Sequence, residues 1–364
     1  MILQVIVILI TVFLLVNDIK QIIFDTLFPL VGKRCIMPDL PYYSNVGDLL
    51  IWEGMERFLK DNGTECLWRS SVSTFEYKAI PQDVTVCLVG GGNFGDLWRG
   101  LQEFKNQIIK LYPNNRVVVF PQSVYYNDMQ LCKDDADVLA AHTDIHICVR
   151  DKKSFDFLKE NFPGCDVVLV PDMALYLEFD KTSAKTGRTL FLKRNDKESV
   201  DYSEFSTEGM EVTDWPMHQS DRQIKWGFLD KIRHKILRNE VGKCDNSKAI
   251  RQLERKFAKT ISPKGENISE KWQKVANELA YLLYLNMNKF PKKLDDVVDW
   301  FVRNYYQPLT IQYGVDFINQ YDVIYASRLH AAVLGYLLGK EMHVIDNSYG
   351  KISAFFDTWQ VNNV

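Results

Sequence analysis

The chain has 364 residues, of which 46% are hydrophobic and 13% aromatic, so more than one hydrophobic core is expected and two domains are predicted. A formal net charge of −3 excludes the strongly basic balance that is typical of nucleic-acid-binding proteins. Seven cysteines without a Cys-x-x-Cys pair argue against a disulfide or zinc framework and indicate reduced thiols in the cytoplasm.

The first segment, residues 1–32, begins with an apolar run. Residues 2–16 are apolar except for Gln4 and Thr11, and the first charge is Asp18. At about 1.5 Å per residue, a helix of this length falls short of a hydrocarbon core of roughly 30 Å. No basic region precedes the run and no small-residue cleavage site follows it, which argues against a cleaved signal peptide. We expect weak anchoring at the inner face of the membrane, with the rest of the chain cytoplasmic. The alternatives are a helix on the membrane surface and a start codon placed too early.

Strands alternate with helices from Arg34 onward. Apolar runs predict strands at Arg34–Met37, Val84–Val89, Arg116–Phe120, Ile145–Val149 and Val167–Val170, and helices at Leu49–Asn62, Leu101–Leu111 and Ser154–Asn161. This order predicts an α/β fold with a parallel sheet and helices on both of its faces. The tripeptide 121–123 is predicted to be a loop. Ligands bind such sheets beyond the carboxyl ends of the strands, so polar residues at those ends are the site candidates.

A polar linker, residues 180–186, precedes a second α/β unit. Its predicted strands are Thr189–Leu192 and a run that starts at Val323, and the second strand leads into a buried helix. A mostly helical insertion separates them, at about residues 215–305. Residues 218–300 contain 18 basic and 11 acidic residues, and apolar residues recur every fourth position from Ile224 to Ile236. A basic amphipathic helix suits a membrane surface or a polyanion; a covering helix with a solvated basic face is the alternative.

The turn at residues 45–48 follows the first predicted strand. Gly47 permits a tight backbone turn, whereas Asn45 and Asp48 either cap the next helix or contact a ligand hydroxyl. In the second case Asp48 could also receive a proton.

The glycine stretch, residues 90–96, follows another predicted strand. Gly91 and Gly92 let the backbone approach a ligand closely, and Asn93 and Asp96 add polar groups. The pattern is not G-x-G-x-x-G, so a sugar or a diphosphate is favoured over a dinucleotide. A merely tight loop is the alternative. Gln122 and Arg150, which follow two further strands, are less specific candidates for hydrogen bonding, and Arg150 is also a candidate for anion binding.

Basic residues also follow the two predicted strands of the second unit. Lys193 and Arg194 come after the first, and Arg328, Leu329 and His330 lie at the turn between the second strand and its helix. The N-terminus of a helix attracts anions. If the two strands are neighbours, Arg194 and Arg328 converge, and with His330 they suit a small dianion or trianion. A salt-bridged arginine and a buried, hydrogen-bonded histidine are the alternative.

Eight short motifs, taken in order, carry a resemblance to a known family. They are Asn45–Gly54, Gly90–Asp96, Phe120–Ser123, Val149–Asp151, Val170–Asp172, Lys193–Asp196, Ser327–Ala331 and Asp346–Lys351. Together they resemble the polysaccharide pyruvyl transferase family over roughly residues 35–360. The apolar N-terminus and the details of the basic insertion lie outside the resemblance.

The resemblance implies a fold similar to GT-B glycosyltransferases, with two Rossmann-like domains facing a cleft. These would be an acceptor domain at 33–185 and a donor domain at 186–345, with a C-terminal helix in 346–364 packing back. The implied reaction transfers the enolpyruvyl group of phosphoenolpyruvate to a sugar and forms a cyclic ketal. The implied partner is a sugar acceptor, which we expect to be a lipid-linked oligosaccharide. Neither a cofactor nor a metal is required, because phosphoenolpyruvate is the donor substrate.

The resemblance also implies roles for the candidate residues. The predicted donor-binding set is Lys193, Arg194, Arg328, Leu329 and His330. The predicted acceptor-binding set is Asn45, Gly47, Gly91, Gly92, Asn93, Gln122 and Arg150. The reaction needs an acid, a base and charge stabilisation, for which His330, Asp48 and Asp96 are the catalytic candidates.

Two other functions fit the same sequence. One is a GT-B glycosyltransferase that uses a nucleotide sugar, because the same basic residues would accept a nucleotide diphosphate. The other is a non-catalytic scaffold in a membrane complex of glycan synthesis. A scaffold would keep the apolar N-terminus and the basic helix but would tolerate the loss of Arg328 and His330.

Overall fold

The structure is a computed structural model that describes residues 19–43, 45–181, 185–196, 198–203, 205–215, 299, 302–346 and 350–359. The apolar run at 2–16 and the basic amphipathic helix expected at 224–236 lie outside the described residues. Among the residues that are described, no helix has the length and apolar character needed to cross a membrane.

The chain divides into two compact units. One comprises residues 1–41, 46–214 and 313–364 and holds every described strand; the other comprises residues 42–45 and 215–312. In the described part of the second unit, a π-helical turn at Val302–Tyr306 leads into the helix Gln307–Ile318, which continues into the first unit. The predicted domain boundaries, 33–185 and 186–345, stay predictions.

Seven parallel strands form the larger sheet. In chain order they are β1 (Arg34–Met37), β2 (Glu65–Arg69), β3 (Val84–Leu88), β4 (Gly91–Gly95), β5 (Val117–Tyr125), β6 (Ile145–Val149) and β7 (Asp166–Leu169). Their spatial order is β2-β1-β3-β5-β6-β7, with β4 paired to β5 beside this path. The strand β3 is buried throughout and β5 is buried from Val117 to Ser123, as expected where both faces of a parallel sheet are covered.

Helices alternate with these strands. They are α1 (19–27), α2 (Val46–Asp61), α3 (Arg99–Leu111), α4 (Met129–Ala140) and α5 (Lys152–Asn161). Two of them begin at an aspartate whose carboxylate accepts backbone N–H groups: Asp128 for α4 and Asp151 for α5. Such a cap satisfies amides that the helix leaves unpaired. The predicted alternation of strands and helices around a parallel sheet is confirmed.

Four parallel strands form the smaller sheet. They are β8 (Thr189–Leu192), β9 (Met210–Thr213), β10 (Val323–Ala326) and β11 (Glu341–Val344), in the order β11-β10-β8-β9. The other described helices are a 3₁₀ turn at Met173–Tyr176 and the α-helices α6 (Gln307–Ile318), α7 (Leu329–Leu337) and α8 (Lys351–Trp359). Leu192 pairs with Ala326, so the expected neighbourhood of the strands before Arg194 and Arg328 is confirmed.

The predicted loop at 121–123 is wrong, because β5 continues through it to Tyr125. The glycine stretch supplies the missing partner by forming β4 along this part of β5. Gly91 and Gly95 have φ values of 126° and 118°, in the region that disfavours residues with a Cβ atom. A Cβ atom at Gly95 would also overlap the carbonyl oxygen of Tyr125. A glycine-rich strand such as β4 has no apolar periodicity, so a sequence pattern does not predict it.

Candidate active site

Polar side chains from both sheets meet beyond the carboxyl ends of their strands. Arg150 follows β6, Asp172 follows β7, and His330 lies in the first turn of α7. Lys351 is the first residue of α8. These four residues are named here the polar cluster. All four belong to the compact unit that holds both sheets.

Arg150 is the most enclosed cation of the polar cluster, with only 1% of its surface exposed. Its Nη1 atom donates to Oδ2 of Asp172 at 2.6 Å, and its Nε atom donates to Oγ of Ser123 at 2.9 Å. The Ser123 hydroxyl in turn donates to Asp151 at 2.7 Å, the aspartate that caps α5. This chain of hydrogen bonds fixes the guanidinium plane. It also explains why Arg150 and Asp151 follow β6 as a pair.

The imidazole of His330 shares the same carboxylate. Its Nε2 atom lies 3.3 Å from Oδ2 of Asp172 and 3.5 Å from Nη1 of Arg150. Burial disfavours the ionised carboxylate of Asp172, but His330 and Arg150 outweigh it and hold the pKa of Asp172 below its ordinary value. Asp172 is therefore a fixed negative charge that orients both the guanidinium group and the imidazole.

Gly47 lies against the imidazole of His330. A Cβ atom at Gly47 would lie 2.7 Å from Cγ of His330 and closer still to Nδ1. Such distances are far below van der Waals contact, so a side chain at position 47 would displace the imidazole. The predicted turn at 45–48 is wrong for Gly47, because α2 already begins at Val46 and the glycine lies in its first turn. There it makes room for a candidate catalytic group.

Lys351 brings a second buried cation beside Arg150. Its Nζ atom donates to Oε2 of Glu198 at 2.5 Å, and only 7% of the residue is exposed. A Cβ atom at Gly92 would lie 3.2 Å from this Nζ and 3.5 Å from Nη2 of Arg150, so the glycine borders both cations. Burial lowers the pKa of Lys351 to about 8; Glu198 opposes the shift, whereas Arg194 and Arg150 add to it. The ammonium form of Lys351 is therefore less favoured than that of an exposed lysine.

Arg194 and Arg328 converge, as the strand order predicted, through a shared carboxylate. Asp196 lies 2.6 Å from Nε of Arg194 and 3.2 Å from Nη2 of Arg328. Burial opposes ionisation of Asp196, but the two arginines lower its pKa to about 2. Glu198 accepts from both terminal nitrogens of Arg194 at 2.7 Å, and Asp214 accepts from Nε and Nη2 of Arg328 at 2.5 and 2.6 Å. Both guanidinium groups are thus ion-paired, and their predicted donor contacts stay predictions.

The other predicted donor residues occupy different surroundings. Leu329 is buried at the first position of α7. The ammonium group of Lys193 lies 5.4 Å from the ring centroid of Tyr202, a cation–π distance. Leu329 therefore belongs to the helix start beside His330, while the charge of Lys193 lies over an aromatic ring.

The predicted acceptor residues of the larger sheet lie near the same strand ends. A Cβ atom at Gly91 would lie 3.5 Å from Oδ1 of Asp48, so the glycine stretch and the start of α2 are adjacent. Asn93 accepts a hydrogen bond from Nζ of Lys105 at 2.8 Å. Gln122 donates from Nε2 to the carbonyl oxygen of Val89 at 2.5 Å, and its backbone carbonyl oxygen accepts from the backbone amide of Arg150.

Two of the predicted site residues, Asp96 and Asn45, are not part of the polar cluster. Asp96 accepts hydrogen bonds at 2.7 Å from the backbone amides of Asn127 and Asp128, so its carboxylate orders the loop before α4. Asn45 belongs to the compact unit of residues 42–45 and 215–312. The catalytic role of Asp96 and the acceptor contact of Asn45 stay predictions. Within the described residues, no group of three or more His, Cys, Asp or Glu side chains has the arrangement of a metal site.

The helix α8 connects two members of the polar cluster. Lys351 lies at its first residue, and at its other end Nε1 of Trp359 donates to the carbonyl oxygen of Arg150 at 2.7 Å. Thr358 accepts from the amide of Lys152 at 3.0 Å. One nine-residue helix therefore holds a buried amine and also fixes the backbone that carries the buried guanidinium.

Sequence reasoning missed several residues of this site. Lys351 was part of a motif without a role, and Glu198 and Asp214 were not considered. Their contacts join positions 153 and 114 residues apart in the chain, and no local pattern reports such pairs. Lys351 could have been identified as a candidate from its position directly after Gly350, in the last motif of the resemblance.

Comparison with known proteins shows to which family the chain is similar. The polysaccharide pyruvyl transferase family matches residues 45–349 of the chain. A Bacillus subtilis protein described as "Putative pyruvyl transferase EpsO" is 30% identical over 332 residues, 90% of this chain and 85% of that protein. Pyruvyl transferase 1 of Schizosaccharomyces pombe is 28% identical over 180 residues, 46% of this chain and 45% of that protein. A solved structure of an uncharacterised Klebsiella pneumoniae protein has a similar fold, with a TM-score of 0.50, 16% identity and 95% of each chain covered.

Proposed function

The chain belongs to the polysaccharide pyruvyl transferase family, and we propose that it transfers the enolpyruvyl group of phosphoenolpyruvate to a sugar of a cell-surface or exopolysaccharide glycan. The product is a pyruvate ketal that bridges two hydroxyl groups. The observation that supports this proposal best is the pair of buried cations, Arg150 and Lys351, that border Gly92 beside His330.

The donor is a small anion with a phosphate and a carboxylate, and the polar cluster has matching charges. A planar guanidinium group, such as that of Arg150, binds either anion through two parallel hydrogen bonds. Burial lowers the pKa of Lys351. A bound anion would favour its ammonium form, so donor binding and protonation of Lys351 would support each other. Arg194 and Arg328 add two further guanidinium groups, each ion-paired with carboxylates.

The chemistry requires a proton at the methylene carbon of phosphoenolpyruvate. In the proposed sequence His330 donates this proton, the central carbon gains positive charge, and one sugar hydroxyl adds to it. Asp48 accepts the proton of that hydroxyl. The bond between the central carbon and the phosphate oxygen then breaks, and inorganic phosphate leaves with the proton that Asp48 had accepted. The second hydroxyl closes the ketal as its proton is taken up by the deprotonated His330. The carboxylate of Asp172, fixed by Arg150, orients the imidazole of His330 for this proton transfer.

The acceptor would bind at the glycine stretch of the larger sheet, where Gly91, Gly92 and Asn93 leave room for a sugar beside Asp48. A lipid-linked oligosaccharide is the proposed form of the acceptor. We propose that the reaction takes place in the cytoplasm, at the inner face of the membrane. The proposed architecture is GT-B-like, with two Rossmann-like domains facing a cleft. The scheme uses no cofactor and no metal.

The test combines phosphoenolpyruvate, a panel of lipid-linked oligosaccharides and the purified protein. Mass spectrometry of the glycan and an assay for inorganic phosphate should report one ketal for each phosphate released. Arg150→Gln should abolish both signals, whereas Lys152→Gln, an exposed neighbour with 69% of its side chain accessible, should leave them intact.

Two results would reject the proposal. Transfer of a sugar from a nucleotide sugar, without use of phosphoenolpyruvate, would identify a glycosyltransferase. Failure of both donors to bind, measured by calorimetry on the wild-type chain, would favour the scaffold.

A further inference from the structure

A buried ion pair lies behind the glycine stretch. Lys105, on α3, is 2% exposed, and its Nζ atom lies 3.6 Å from Oδ2 of Asp39, whose side chain is 4% exposed. The other carboxylate oxygen of Asp39 accepts from the backbone amide of Val89 at 2.9 Å. Val89 directly precedes the glycine stretch, so the pair is built into the support of that stretch.

Burial makes this pair an inefficient way to stabilise the fold. It raises the pKa of Asp39 and lowers the pKa of Lys105, so each ionised form is disfavoured by its surroundings. A buried ion pair can often be replaced by apolar residues of similar volume without loss of stability. Packing alone therefore does not account for a lysine at this position, and its remaining contact points to a second role.

That contact is with Asn93. The Nζ atom of Lys105 donates to Oδ1 of Asn93 at 2.8 Å. An ammonium group is a donor only, so it can face only the oxygen of the Asn93 amide. The amide nitrogen must then point to the other side, and in the described part of the chain it donates no hydrogen bond to another residue. Asn93 is half-buried, so this nitrogen is within reach of a ligand.

We propose that Lys105 is a positioning residue that fixes the Asn93 amide with its N–H groups toward an acceptor sugar, while Asp39 balances the charge of the lysine. The site so formed binds a sugar oxygen that accepts a hydrogen bond. The inference rests on the proposed function, in which the glycine stretch holds the acceptor. Lys105 also has a favourable electrostatic interaction with Asp48, the proposed base, so the lysine acts on two acceptor-facing groups.

The experiment separates positioning from stability with a double variant. Lys105→Met leaves Asp39 buried without its cation and should lower the melting temperature. Asp39→Asn combined with Lys105→Met removes both charges and should restore much of the melting temperature. The acceptor used is the oligosaccharide that gains mass in the transfer assay. We expect its KM in the double variant to remain about tenfold above that of the wild type, which is the effect of losing one hydrogen bond. The Kd for phosphoenolpyruvate should be unchanged. Lys110→Met, at an exposed position of the same helix, is the matched control.

A second variant keeps the test valid if Lys105→Met does not fold. Asn93→Asp retains a group that pairs with Lys105 but removes both N–H donors, and it should raise the acceptor KM to a similar extent. An acceptor KM equal to that of the wild type in either the double variant or Asn93→Asp would overturn the proposal. The proposed function is judged separately, because its failure would appear as absence of ketal from the wild-type protein.

Discussion

The buried amine of Lys351 should limit donor use at alkaline pH. Its pKa is lowered to about 8, so it is about 90% protonated at pH 7 and about 10% protonated at pH 9. Only the ammonium form can pair with an anionic donor. Since kcat/KM reports ionisations of the free enzyme, kcat/KM for phosphoenolpyruvate should fall about tenfold between these two pH values.

The assay is phosphate release at low phosphoenolpyruvate concentration across the neutral and alkaline range. Phosphate monoesters lose their second proton near pH 6, so the donor itself does not titrate in the alkaline limb. Lys351→Arg keeps its charge at every pH of the series, so the fall that Lys351 causes should disappear, and any fall that remains belongs to the general acid of the reaction. Lys351→Met should be slow throughout, and Lys152→Arg, at an exposed position, should behave as the wild type. A fall in Lys351→Arg equal to that of the wild type, or a wild-type profile that stays flat to about pH 9.5, would refute the assignment.

The same lowered pKa predicts that the contribution of Lys351 to stability changes with pH in the opposite direction to activity. The pKa of Lys351 is lower in the folded state than its ordinary value of 10.5, so between about pH 8 and 10.5 the folded chain binds fewer protons than the unfolded chain. The contribution of Lys351 to the free energy of unfolding therefore rises with pH in this window, while activity falls. Buried thiols such as Cys148, whose pKa is raised, act in the opposite direction in every variant. The difference in stability between the wild type and Lys351→Met removes their effect and should grow in favour of the wild type as pH rises.

Three further substitutions test the polar cluster. His330→Gln retains polarity but cannot transfer a proton, and single-turnover rates should fall on the order of 10²–10⁴-fold with a much smaller change in the donor Kd; poor binding with normal turnover at saturation would make His330 a phosphate ligand only. Gly47→Ala should reduce kcat in the same way, because the methyl group overlaps the imidazole, whereas Gly100→Ala fills open space and should be neutral; equal activity of the two variants would contradict this packing. Trp359→Phe removes the donor to the Arg150 carbonyl and should raise the KM for phosphoenolpyruvate by about three- to tenfold, the range for one hydrogen bond. Trp68→Phe is its control, since the buried Nε1 of Trp68 has no hydrogen-bond partner among the described residues; a KM rise in both would deny Trp359 a specific role.

The sequence predicted those parts of the fold that are governed by local patterns. The bounds of β6 and β8 agree with the predicted strands Ile145–Val149 and Thr189–Leu192, because each is a short apolar run between polar residues. The strands β2, β9 and β11 were missed. Each has exposed positions and includes polar or charged residues, as Glu65–Arg69 illustrates, so their apolar signal is weak.

The candidate site was predicted at the level of motifs but not of partners. The motifs identified Arg150, Arg194, Arg328 and His330 because strand ends in parallel sheets carry ligand-binding groups. Whether an arginine is free or paired depends on carboxylates far away in the chain, such as Asp214 for Arg328. The same limit applies to Lys105, which occupies an ordinary helix position and is distinguished only by its burial and by its contact with Asn93.

The hydrogen bond from Trp359 to Arg150 has a consequence for the order of folding. It joins residues 209 positions apart, and Lys351 reaches Glu198 across 153 positions. Contacts of such long range form late, because the loops that they close must be ordered first. During synthesis the strands of the larger sheet emerge well before α8, so this sheet can acquire its core while Arg150 still lacks its backbone partner. The charged groups of the site are then assembled only when the last helix docks, after the surrounding apolar surfaces have been buried.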